Sequence, residues 1–129
     1  MPLMRVDLIK GKDEAKLKQI LDIAYEVQVE TLKTPERDRY QVLTQHEPFE
    51  MQIQDTGLGI DRSEDVIVFN VTSRPRPAKL KQLFYQRLVE RLEKEVGIKK
   101  EDVVFSMVSN NDDDWSFGKG ETQFLNGEL

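Results

Sequence analysis

Val66-Ile67-Val68-Phe69-Asn70-Val71-Thr72-Ser73-Arg74-Pro75-Arg76-Pro77 is the stretch from which the fold is read. Its first six residues are a nearly continuous apolar and β-branched run, the composition of a buried strand. After Pro77, Leu80, Leu83, Phe84, Leu88, Leu92 and Val96 recur at three- and four-residue intervals, which predicts one face of a helix. Pro77 stands where a first-turn proline is tolerated, because an N–H there has no intrahelical acceptor. Arg74 and Arg76 therefore occupy a strand-to-helix corner. At an extended strand end, residues i and i+2 point the same way, so the two guanidinium groups can converge. Pro75 and Pro77 restrict the backbone around them. Two fixed forks aimed at one point suit a carboxylate or another small oxyanion. A solvated turn explains the same four residues, and the rest of the chain has to choose.

Toward the C-terminus, Gly97 follows Val96 where a C-cap glycine belongs. Asp102-Val103-Val104-Phe105-Ser106-Met107-Val108 then predicts a further strand. Asn110, Asn111 and Asp112 to Asp114 mark a polar turn. Trp115, Phe117, Phe124 and Leu125 make the tail a short hairpin or arm, too apolar for a free end. Toward the N-terminus, Asp61 to Asp65 lead into the central strand, and Pro48 with Asp55-Thr56-Gly57-Leu58-Gly59 predicts a crossing loop. Tyr40 to Gln45 is a strand. Leu17, Ile20, Leu21, Ala24, Val27 and Thr31 form a second helical stripe, ended at or before Thr34 because Pro35 disfavours helical geometry in its predecessor. Asp13 and Glu14 put negative charge at that helix's start. Leu3 to Ile9 alternates as a strand and Gly11 ends it.

The order is strand, helix, strand, twice over, with little identity between the halves. The expected fold is α+β (α/β), one domain over 1–129: a first β-α-β unit at about 1–60, a second at about 61–110, and a C-terminal arm at 111–129. Two such units give a four-stranded mixed sheet with two helices on one face. The bare face would be covered by a closed oligomer. Apolar residues at 38% with 33% charged make a thin core, which strengthens that expectation. A net charge of −5 and no dense Lys/Arg run argue against nucleic acid. The absence of cysteine excludes disulfides, Cys–zinc sites and thiol nucleophiles. No signal-like or membrane-length apolar stretch is present, so a cytoplasmic protein with no membrane partner is expected.

Several residues invite chemistry. Removal of Met1, which a small second residue permits, leaves Pro2 a secondary amine titrating near neutrality at the head of a strand. With Met1 attached, the same nitrogen is a tertiary amide and carries no basicity. Nearby cations and burial would make the amine a base, and a nearby carboxylate would make it a cationic acid. Asp38, between Arg37 and Arg39, fits either a carboxylate kept ionised to place water or accept a proton, or a salt-bridged solvated turn. Trp115, Phe117 and Phe124 fit a pocket wall or a subunit contact. His46 stands alone and reads as a surface or internally satisfied histidine. Gly57-Leu58-Gly59 lacks a phosphate-loop lysine. Asp112 to Asp114 reads as a solvated turn, with a weak cation site as the alternative.

Met1-Pro2-Leu3, Arg37-Asp38-Arg39-Tyr40-Gln41, Asp55-Thr56-Gly57-Leu58-Gly59, Ser73-Arg74-Pro75-Arg76 and Asp114-Trp115-Ser116-Phe117-Gly118 together, in this order, resemble the tautomerase superfamily, most nearly malonate semialdehyde decarboxylase and its relatives. The resemblance covers almost the whole chain. It implies a homotrimer of duplicated β-α-β units with sites between subunits, and no metal or organic cofactor. It implies catalytic roles for Pro2, Asp38, Arg74 and Arg76, and a substrate-binding apolar wall of Trp115, Phe117, Phe124 and Leu129. The activity it implies is on small carboxylate-bearing oxo acids: decarboxylation of a β-keto acid, with hydration or keto-enol tautomerisation beside it. The alternative is a non-catalytic trimeric interaction or small-acid-binding protein that retains the fold.

Overall fold

A computed structural model describes residues 2–129. The reading of Met1 and its removal lies outside them. Strand β1 (Leu3–Ile9) leads to helix α1 (Glu14–Leu32), strand β2 (Tyr40–His46), strand β3 (Ile67–Ser73), helix α2 (Ala78–Val96) and strand β4 (Val103–Ser109). The sheet order is β2-β1-β3-β4. β1 and β2 run parallel, as do β3 and β4, and β1 meets β3 antiparallel at the centre. These are the two expected β-α-β units, joined through their first strands. β3 starts one residue later than its apolar run and continues to Ser73, so Arg74 is the first residue past the sheet.

Alternation decides which face is buried. Met4, Val6 and Leu8 of β1 pair with Val71, Phe69 and Ile67 of β3, and all six are buried beneath the helices. Phe84, Leu88 and Leu92 of α2 and Ile20, Ile23, Ala24 and Val27 of α1 close over them. Phe105 stacks on Phe69 at 5.4 Å and on Tyr85 at 4.8 Å, with Phe84 edge-on at 5.8 Å. Such aromatic pairs add about 0.5–1.5 kcal/mol each beyond their burial. On the opposite face Val42 and Val108 stay 43% and 59% exposed, so that side of the sheet lacks a cover within one chain.

Both helices are stopped by left-handed residues, Lys33 (φ 56°) after α1 and Gly97 (φ 77°) after α2. The glycine adopts this geometry freely, whereas the lysine pays for it in strain. The tail beyond Asp114 forms an arm of successive turns and not a hairpin. Trp115 stacks on Phe117 at 5.4 Å, and Phe117 meets Phe124 edge-on at 5.4 Å. No helix among the described residues is long and apolar enough to cross a membrane.

Candidate active site

One end of the sheet collects the chemistry. Leu3 opens β1 between Tyr40 of β2 and Thr72 of β3. One residue earlier on the same registers, buried Pro2 comes level with Arg39 and Ser73. The corner carrying Arg74 and Arg76 begins immediately after Ser73, so the head of β1 and the arginine pair share this end.

Asp38 is brought in by the short connection from α1 to β2. Its backbone N–H donates to the Pro35 carbonyl at 3.3 Å, closing a turn, and Arg37 within that turn takes a left-handed conformation (φ 68°). Buried Gln28 on α1 donates through Nε2 to the Asp38 carbonyl at 2.9 Å and to Thr34 Oγ1 at 3.1 Å. Asp38 is thereby held almost fully buried, 2% exposed. Burial pushes its carboxyl above the ordinary carboxylate value, against an opposing pull from positive charge that includes Arg76.

Of the two readings of Asp38, burial corrects the solvated turn, and the reading in which Arg37 and Arg39 keep the carboxylate ionised is corrected as to which arginine acts. Arg39 turns to the helix side, donating to Asp22 at 2.7 Å and to Gln41 at 2.8 Å. Arg37 is exposed. The arginine whose charge bears on Asp38 is Arg76, distant in sequence. Adjacent residues diverge in direction, whereas the sheet brings the β3 corner to Asp38.

The two arginines are held differently. Arg76 Nη1 donates to the Leu32 carbonyl at the end of α1, and its Nε donates to Ser73 Oγ at 3.3 Å. Burial and the adjacent Arg74 charge pull its guanidinium below the ordinary arginine value, while Asp38 opposes them. Arg74 is more open. It donates through Nε to Asp112 Oδ1 at 2.8 Å and through Nη2 to Asp112 Oδ2 at 3.2 Å, and its guanidinium carbon lies 4.2 Å from the Phe124 ring centre. Asp112, expected as part of a solvated turn, is thus a fork partner of Arg74. The missed signal lies in register: parallel β3 and β4 end together at Ser73 and Ser109, which aligns the segments that follow.

A cavity of about 280 Å³ is lined by Asp38, Arg74, Arg76, Phe124 and Leu129, with Lys33-Thr34-Pro35 along one side. Beyond the arginines a wider hollow of about 770 Å³ runs along Pro75, Asn111, Asp112, Asp113 and Leu125. Trp115 and Phe117 line a separate hollow of about 350 Å³ with Leu3, Tyr40 and Thr72, so one chain divides the four-residue apolar wall between two hollows. The edge contact of Phe117 with Phe124 joins them. Trp115 is fixed by its indole N–H donating to Asn110 Oδ1 at 2.7 Å.

The remaining candidates are internally satisfied. His46 Nε2 lies 2.7 Å from Asp7 Oδ1. Asp55 accepts from the Gly57 and Gly59 N–H groups, which lower its carboxyl below the ordinary value and make the glycine pair part of a loop closure. No group of three or more metal-capable side chains occurs among the described residues.

Comparison with known proteins bears on the family and the fold. Two family models, each described as tautomerase enzyme, match residues 38–118 and 2–61. The chain is 50% identical over 129 residues to the probable tautomerase YrdN of Bacillus subtilis (strain 168), covering 100% of both chains. It is 30% identical over 126 residues to the probable tautomerase YusQ of the same strain, covering 97% of this chain and 99% of that one. Among solved structures, a malonate semialdehyde decarboxylase studied for its decarboxylase and hydratase activities matches at 44% identity and a TM-score of 0.95, covering 98% of each chain. A second malonate semialdehyde decarboxylase, inhibited by 3-bromopropiolate, matches at 35% identity and 0.94, covering 98% of this chain and 97% of that one. A symmetric trimer of a fused 4-OT shares the fold at 17% identity and 0.79, covering 97% of this chain and 98% of that one.

Proposed function

The chain belongs to the tautomerase family, and on that footing we propose that it is a cofactor-independent decarboxylase of a small β-oxo acid that works through the free amine of Pro2 after loss of Met1. The reading is supported most by one observation: Asp38, Arg74, Arg76, Phe124 and Leu129, from distant parts of the chain, line one cavity. An arginine holds the substrate carboxylate. The bond from that carboxylate carbon to the α-carbon breaks, its electron pair moves into the carbonyl as an enolate, and carbon dioxide leaves. Cationic Pro2 donates a hydrogen bond to the growing enolate oxygen and then supplies the proton that completes the product. Asp38 keeps the amine protonated, since a carboxylate beside an ammonium favours the charged form of both. Phe124 and Leu129 form the apolar wall, where a carboxylate becoming neutral carbon dioxide loses charge.

A hydratase reading is favoured by the paired activities attributed to the 44%-identical relative. In it, Asp38 places a water for addition to an activated acid. We propose further that the chain assembles as a trimer in which three copies cover the exposed sheet face bearing Val42 and Val108; a fused 4-OT of the same fold is a symmetric trimer. The test is an assay of protein whose N-terminus is verified as Pro2, against malonate semialdehyde, phenylpyruvate enol and acetylenic acids. Turnover of malonate semialdehyde to acetaldehyde above the buffer rate supports decarboxylation. Turnover of the acetylenic acids alone moves the assignment to hydration, and turnover of none removes it.

A further inference from the structure

The two arginines at the cavity have different supports, and one support has no assigned role. Arg76 is bound to main chain and to its own corner through Leu32 and Ser73. Arg74 has no such anchor among the described residues. Its side chain is 44% exposed, and a four-carbon-reach side chain this open would ordinarily sample many rotamers. Two groups restrain it: Asp112 takes the Nε–Nη2 edge, and the guanidinium carbon sits over the Phe124 ring, 4.2 Å from its centre.

Asp112 is itself held in place. It opens a single 3-10 turn, Asp112–Asp114, whose capping box is complete: the Asn111 N–H donates to Asp114 Oδ2 at 2.8 Å, and the Asp114 N–H is turned back onto Asn111. That turn is tied to β3, because the Asn110 N–H donates to the Ser73 carbonyl at 2.9 Å. The carboxylate and the arginine it holds therefore hang from the same pair of strand ends. With one edge of the planar fork engaged by Asp112 and the group seated over the Phe124 ring, the Nη1 edge is the part left to meet a ligand. Among the described residues no acceptor is bound to Nη1.

We propose that Asp112 is a positioning residue, which fixes the Arg74 guanidinium against Phe124 so that its Nη1 edge faces the cavity and receives an oxygen of the substrate. The inference rests on the functional reading above for what Arg74 receives, and on the geometry alone for how Arg74 is held. Asp112 touches no substrate in this account. Its whole effect passes through Arg74, and that is what separates positioning from a merely structural role.

The experiment is a double-mutant cycle on full-length protein with Pro2 verified at its N-terminus: parent, Asp112→Ala, Arg74→Ala and the double variant, with Asp112→Glu as the conservative rescue. Two readouts are taken. One is KM and kcat for malonate semialdehyde. The other is equilibrium binding of the unreactive monocarboxylate 3-hydroxypropanoate by calorimetry. Because the Arg74–Asp112 pair is partly exposed, its loss should raise KM and the probe's Kd about five-fold with kcat changed less. Asp112→Glu should recover part of the loss. In the Arg74→Ala background, Asp112→Ala should change neither constant further. An equal effect of Asp112→Ala with and without Arg74, or no effect in the parent, overturns the proposal. A parent that binds the probe and turns over no oxo acid overturns the functional reading only, because the binding cycle still decides the role of Asp112. A parent that neither binds nor turns over overturns both.

Discussion

Replacing Arg76 with alanine tests the architecture of the cavity and its electrostatics together. The side chain donates to the Leu32 carbonyl at the end of α1 and to Ser73 Oγ at 3.3 Å. A hydrogen bond from a charged donor contributes about 1.5–3 kcal/mol, and the long Ser73 bond adds little. Relief from burying the cation offsets part of that loss, leaving a net cost of about 2 kcal/mol. With 129 residues, unfolding entropy near 2.1 cal/mol/K per residue sums to about 0.27 kcal/mol/K, so Tm should fall by about 7 °C. The second consequence is a pH shift. Arg76 lowers the Asp38 carboxyl against the effect of burial, so removing it must drive that carboxyl further up. In a kcat/KM profile for malonate semialdehyde, the limb belonging to Asp38 should move to higher pH. Arg76→Lys, which keeps the charge and loses the fork, should restore that limb more fully than it restores Tm. A melting curve within about 1 °C of the parent, together with an unmoved limb, would refute both the anchor to α1 and the coupling to Asp38.

Further outcomes follow from the connection that carries Asp38. Gln28→Leu keeps the volume and removes both donors, leaving the buried Asp38 carbonyl without this partner, and should cost about 1–3 kcal/mol in denaturant unfolding while lowering activity, although Gln28 does not itself line the cavity. Lys33→Gly relieves a left-handed non-glycine residue at the end of α1 and should raise stability by about 1 kcal/mol, read as a higher urea midpoint at unchanged slope. For Asp38 the sign is fixed by its raised value: the folded state holds the proton to higher pH than the unfolded chain, so stability falls as pH rises from the ordinary carboxylate value through the raised one. Asp38→Asn abolishes that slope, and the Tm of the variant minus that of the parent should increase as pH rises above the ordinary carboxylate value; a difference that shrinks as pH rises would contradict the burial account.

The strands and helices were legible because each has one buried face and one period. Leu80 through Val96 repeats at helical spacing, and in the largely apolar run Val66 to Val71 the residues Ile67, Phe69 and Val71 alternate onto the face buried beneath the helices. The corner at Arg74 and Arg76 was legible for the same reason, since a strand end and a helix start bracket it. The partners of the site residues were harder to see. Asp38 sits between two arginines in sequence, but chain direction sends Arg39 to Asp22 and leaves Arg37 in solvent, while Arg76 arrives from a different unit. Asp112 lies among three aspartates that read as a solvated turn. Only the parallel register of β3 with β4 sets one of them against Arg74. Gln28 gives no sign of its role, because a glutamine within a helical stripe is silent until the connection it binds has been placed.

The claim on which the rest depends is that a free Pro2 amine is the reacting group at the cavity of Asp38, Arg74 and Arg76. Treatment with 3-bromopropiolate, the acetylenic acid that inhibits one of the related decarboxylases, followed by intact mass and peptide mapping, tests it most directly. Protein beginning at Pro2 should gain one adduct per chain, located on Pro2, with parallel loss of activity, and protein retaining Met1 should gain none. Labelling that ignores the presence of Met1, or that falls on another residue while activity is lost, would contradict the account.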